Sequence, residues 1–163
     1  MRARLAVLVL VPFLATACGA PVDLARNCRV IPETTGWFDA GITEDGKNKL
    51  VPSIVFRVSN TGSRSLGQMQ FNCLFKRVGD PEEHSAVLLL GKNVGANDLA
   101  PGATTGPITV RAPQGYTGTE PRVTMLGNRL FVDFKVEIFS KAGSAPPVKL
   151  GEFPIKRQLL AMQ

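Results

Sequence analysis

The chain has 163 residues and a net charge of +6, with 44% hydrophobic and 20% charged residues. That length suits one compact domain and is short for two. The basic residues are scattered and never run longer than two, as at Lys76-Arg77 and Lys156-Arg157. Nucleic-acid binders gather such charge on one stripe or face, so that class is excluded.

The first element is an address label. Arg2 and Arg4 give a positive start, Leu5 to Leu14 a ten-residue apolar run, and Ala15-Thr16-Ala17 a small-residue cleavage site before Cys18. Ten residues cannot span a bilayer, which takes roughly 20. Residues 1–17 are therefore expected to be a signal peptide, and their loss lowers the net charge to +4. The Ala15–Cys18 run resembles the lipobox of bacterial lipoproteins, with Ala15 standing where that family usually carries leucine. The resemblance implies that Cys18 is diacylated and becomes the first residue of the mature chain. Two acyl chains anchor stably where one does not. Gly19 after the cysteine implies, in the same pattern, the outer membrane facing the periplasm. Ordinary secretion of a soluble chain is the rival reading.

Residues 18–35 carry prolines and no hydrophobic period, which predicts a lipidated N-terminus and tether ahead of a domain over 36–163. The three cysteines add to the lipid reading by parity: with Cys18 acylated, Cys28 and Cys73 remain as a pair free to bridge in an oxidising compartment. Such a disulfide would close about 45 residues and contribute on the order of 4 kcal/mol in the chain-entropy model. The alternative is a buried thiol at Cys73 and an idle one at Cys28.

From Trp37 onward the pattern has period two, the mark of half-buried strands. Leu50, Ile54, Phe56 and Val58 share one face of residues 50–58, with Ser53 and Arg57 opposite. Met69, Phe71, Cys73 and Phe75 alternate with polar residues, as do Leu130, Val132, Phe134, Val136 and Ile138. Weaker segments lie at 37–43, 86–90, 107–112 and 150–156, and residues 122–128 read as a helical turn. Turn residues such as Glu44-Asp45-Gly46, Asn60-Thr61-Gly62, Pro101-Gly102 and Ala142-Gly143-Ser144 separate them. About seven short strands predict an all-β fold, a single antiparallel immunoglobulin-like β-sandwich. The strand ending in Ser59-Asn60-Thr61-Gly62, followed later by Leu99-Ala100-Pro101-Gly102, resembles the FxLYD-type sandwich modules of bacterial envelope proteins. That resemblance implies a fold and a cell-surface habit, and it carries no catalytic residues.

The search for chemistry gives little. Gly41 to Lys47 imitates a phosphate-binding loop, but Asn48 follows where Ser or Thr must hold magnesium, and no helix succeeds it. A hairpin turn at Asp45-Gly46 is expected instead. The lone His84 sits in the polar run 81–85 and reads as a solvated loop residue with no nucleophile beside it. One histidine and two distant cysteines make no metal set, and Asp133 and Glu137 read as a strand's solvated face. No cofactor and no metal are expected. The best recognition candidate is the loop 113–121, with Gln114, Tyr116, Thr117 and Glu120, because loops on rigid scaffolds carry binding and the chain's one tyrosine is there. The alternative is that Tyr116 folds back to cap the sandwich.

Together these features predict a lipid-anchored envelope protein, not an enzyme, acting as a structural or interaction module. Its partners would be the membrane, through Cys18, and another envelope protein. A carrier of a small apolar ligand held between the sheets is the second reading, and an envelope hydrolase the third.

Overall fold

In the computed structural model the described residues are 22–90 and 98–161; Cys18 and the address label lie outside them. Two four-stranded antiparallel sheets form the sandwich. One contains β1 (Cys28–Ile42), β2 (Asn48–Asn60), β5 (Ile108–Arg111) and the short β6 (Tyr116–Gly118), with β2 pairing to the other three. The other runs in the order β4 (Glu83–Leu89), β3 (Met69–Arg77), β7 (Phe134–Ala142) and β8 (Val148–Ile155). The first, second, fifth and sixth strands thus share one sheet and the third, fourth, seventh and eighth the other, an all-β sandwich of about eight strands. Two short helices, α1 (Leu24–Asn27) and α2 (Arg122–Gly127), complete the described elements.

The core follows from alternation. Leu50, Ile54, Phe56 and Val58 of β2 face Phe71, Cys73 and Phe75 of β3 and Val136 and Ile138 of β7, all fully buried. Phe56 meets Phe71 across the interior with ring centroids 6.2 Å apart. Each such side chain contributes roughly 1.5–3 kcal/mol by leaving water. These residues pack against one another between the two sheets.

The strands run between two ends of the sandwich. At the N-terminal end, Asp23 caps α1 by accepting from the Ala25 N–H at 3.0 Å, and Leu24 enters the core. Asn60 organises the same end. Its amide nitrogen donates to the carbonyls of Arg64 and Leu99, both at 2.8 Å, and its side-chain oxygen accepts from Gly62 N–H at 2.9 Å. Its own carbonyl accepts from Gly102 N–H at 2.9 Å. The Asn60-Thr61-Gly62 turn and the Leu99–Gly102 corner, 40 residues apart in sequence, are thus one hydrogen-bonded unit; Gly102 takes the positive φ of 74° that a glycine tolerates.

Three expectations need correction. Residues 28–35 are not tether but the first half of β1, paired with β2 from Cys28–Asn60 through Thr35–Ile54. Pro32 and the bulge beside it hide the period; proline is tolerated there because this stretch lies along the sheet's outer edge. The alternation read back to Leu130 breaks before β7. Asn128 accepts from Leu130 N–H at 2.8 Å and forms an Asx turn, so Phe131 enters the core and Leu130 is 77% exposed. Cys28 and Cys73 are both free and buried. Cys28 opens β1 at the N-terminal end, opposite Asn60, whereas Cys73 lies mid-strand between Val87 and Ile138 of the other sheet.

Candidate functional site

The 113–121 segment belongs to the end of the sandwich opposite the N-terminal helix. Tyr116 and Thr117 are not loop residues: they form β6, paired with Leu50 and Lys49. Gly115 makes this possible, because an added Cβ would fall on the Leu50 carbonyl oxygen and 2.8 Å from Val51 Cα. Tyr116 folds back, its ring 5.0 Å from Phe131, which in turn meets Trp37 at 4.6 Å. The Glu120 carboxylate accepts from the Asn128 amide at 3.2 Å, and its carbonyl accepts from Asn48. Of the four candidates, Gln114 and Thr117 face solvent, while Tyr116 and Glu120 hold the end together.

His84 also departs from expectation. It is not a solvated turn residue but the second residue of β4, half-buried with its ring edge-on to Phe134 at 4.9 Å. Its Nε2 is buried without a hydrogen-bond partner. Burial, and then the Arg77 charge, lower its pKa below the usual histidine value. Neither a nucleophile nor a carboxylate bonds to the ring, so its neighbours are those of a packing residue. Burial likewise raises the Cys28 thiol to about 11 and the Cys73 thiol to about 12, which suppresses thiolate chemistry at both.

Several carboxylates are engaged in ion pairs. Asp133 accepts from Arg157 at 2.6 Å, and that pair lowers its pKa. Glu137 is nearly buried rather than solvated, between Lys76 and Lys149, each at 2.9 Å. Glu152 bridges Lys149 and Lys135, at 2.6 and 3.0 Å, and these two lysines hold it down at about 2. Asp39, whose pKa burial would raise, is instead lowered by the Arg122 side chain at 2.5 Å and the Gly41 N–H. Among the described residues no three His, Cys, Asp or Glu groups converge as metal ligands.

What the sequence reading missed lies on the outer face of the first sheet. Strand register lines up Gly36 of β1, Ser53 of β2 and Arg111 of β5 in one row. Gly36 leaves room for the Leu160 side chain, and over the small Ser53 beside it lies a notch of about 310 Å³. Phe38 walls one end, and Thr34, Val55 and Thr109 line the next row. Arg111 reaches across β2 and lays its guanidinium 3.5 Å over the Phe38 ring. The last wall is the C-terminal segment, which leaves β8, crosses to the other sheet and pairs with the edge of β1. There Trp37 N–H donates to Gln158 at 2.8 Å, Leu160 N–H donates to Trp37 at 2.9 Å, and the Leu160 side chain lies over Gly36. Ser53 and Arg57 were legible as an outward pair, but which strands flank them was not.

No family model matches the chain, and no curated protein matches it.

Proposed function

We propose that the chain is a lipid-anchored protein of the bacterial cell envelope whose sandwich binds another envelope component and performs no chemistry. The observation that carries this reading is the lipobox-like run ending at Cys18, set four residues before Val22, which packs against the core. Four extended residues reach about 14 Å, so an acylated Cys18 would hold the N-terminal end of the sandwich close to a membrane rather than on a long leash. The far end would then point away. It carries the exposed side chains of Ile42, Val78, Val123, Leu130 and Val132, and apolar side chains gathered at one end suit protein contact. The half-buried His84, its ring edge-on to Phe134, favours a packing role over a catalytic one at that residue.

The test is lipid incorporation with detergent-phase partitioning. The natural chain should take up labelled fatty acid and enter the detergent phase, and Cys18→Ser should do neither. Identical partitioning of the two, without label in either, would overturn the anchor.

A further inference from the structure

The geometry points to the notch on the outer face of the first sheet as a binding site for a small organic carboxylate, with Arg111 as its anion partner. This goes beyond the proposed role and does not depend on the anchor. Three observations converge. Among the described residues the Arg111 guanidinium meets only the Phe38 ring; stacking there leaves its N–H edge open for two parallel bonds to a carboxylate. The described walls hold no acid: Thr34 and Thr109 line the notch, and the neighbouring Glu33 is already paired with Arg57.

Ser53 forms the floor. It is 1% exposed, and its hydroxyl proton is committed to the Val110 carbonyl at 3.0 Å. Its oxygen therefore offers a ligand lone pairs only, and the charge partner for a carboxylate is Arg111 alone among the described lining residues. Lastly, Phe38, Val55 and Leu160 give the notch an apolar side, so the ligand class is a carboxylate on a short apolar or aromatic body rather than a bare ion. At about 310 Å³ the space lies at the small end of ligand cavities, roughly 300–1,000 Å³.

The experiment uses the protein purified as its producing cell makes it, with benzoate and hexanoate as probes and benzyl alcohol and hexanol as their neutral counterparts. Amide chemical shifts are followed in a titration. Saturable shifts should centre on Thr34, Phe38, Ser53, Thr109 and Arg111. Each acid should bind at least about tenfold more tightly than its alcohol, a gap of one decade in Kd. Arg111→Gln should weaken the acids about tenfold and leave the alcohols unchanged, and Arg111→Lys, which keeps charge but not the planar fork, should fall between. Lys141→Gln, on the opposite sheet, should change nothing, and undisturbed spectra establish that each variant is folded. The proposal is overturned if neither acid gives saturable shifts, if the shifts spread over basic residues generally, or if Arg111→Gln binds the acids as the natural chain does.

Discussion

Gly115→Ala isolates a steric requirement that no side-chain contact reveals. The new Cβ would fall on the Leu50 carbonyl oxygen, 2.8 Å from Val51 Cα and 2.9 Å from the Leu50 carbonyl carbon, and all three atoms belong to the backbone of the central strand β2. A flexible side chain could give way; this backbone, beside fully buried Leu50, cannot. β6 must therefore retreat by about an ångström. Forcing a methyl group into packed surroundings costs about 1–3 kcal/mol. Loosened ladder bonds to residues 48–50 add about 1 kcal/mol each, and a weakened Tyr116–Phe131 edge contact about 0.5–1.5 kcal/mol. With one or two such bonds loosened, these give about 3–6 kcal/mol, or a fall in Tm of about 10–20 °C for a domain of this size. Gly118→Ala, three residues on at the end of β6, is the control: its Cβ would meet the terminal methyl of Met125 at 3.4 Å, so a change within about 0.5 kcal/mol is expected. Urea unfolding of the two variants beside the natural chain reads both numbers. If Gly115→Ala unfolds within about 1 kcal/mol of the natural protein, β6 is not held against β2 as described.

Asn60→Ala should cost about 2–4 kcal/mol by denaturant melt, because the carbonyls of Arg64 and Leu99 and the Gly62 N–H lose their partner together; Asn60→Asp, which keeps the acceptor and loses the donors, should recover only part of it. Both thiols should resist a thiol reagent in the native protein at neutral pH and react fully in urea; mass addition of two labels only after unfolding is the expected result, and labelling at native rates would contradict their burial. His84 makes stability pH-dependent in a defined direction. The unfolded ring takes a proton near 6.5 while the folded ring resists it, so stability is full above that value, falls as pH drops through it, and levels off below the lowered folded pKa. His84→Gln should flatten that part of the profile, and an unchanged profile would count against the buried Nε2.

Much of the fold was readable from the spacing of residues, because a half-buried strand must alternate. β3 follows that rule without interruption, and the inward residues of β2, β3 and the central part of β7 are those anticipated, although Ser53 and Glu137 on the outward faces are covered as well. The readings failed where local chemistry outweighs alternation. Pro32 and its bulge disguised half of β1, and the Asx turn at Asn128 reversed the phase at Leu130. Three-residue β6 is too short to show a period, so Tyr116 looked like a loop residue. His84 was misplaced because the polar run Pro81-Glu82-Glu83 is only half turn: β4 already begins at Glu83. The notch was invisible for a different reason. Gly36, Ser53 and Arg111 become neighbours only through the register of three strands, and nothing within any one strand records that alignment.

The pairing of Trp37 with Gln158 and Leu160 joins residues more than 120 positions apart and fastens the opening strand of one sheet to the run that leaves the last strand of the other. A chain emerging from its amino end must therefore wait for residues 158–160 before the border of β1 at Trp37 is shut. Until they emerge, the Trp37 backbone offers an open rung to any passing strand. A chain stopped after Arg157 would keep that rung open for good, and it should clump during refolding at concentrations where the intact chain stays monomeric. Residues 158–160 thus act as a latch on the border of β1, closed only after both sheets have been made.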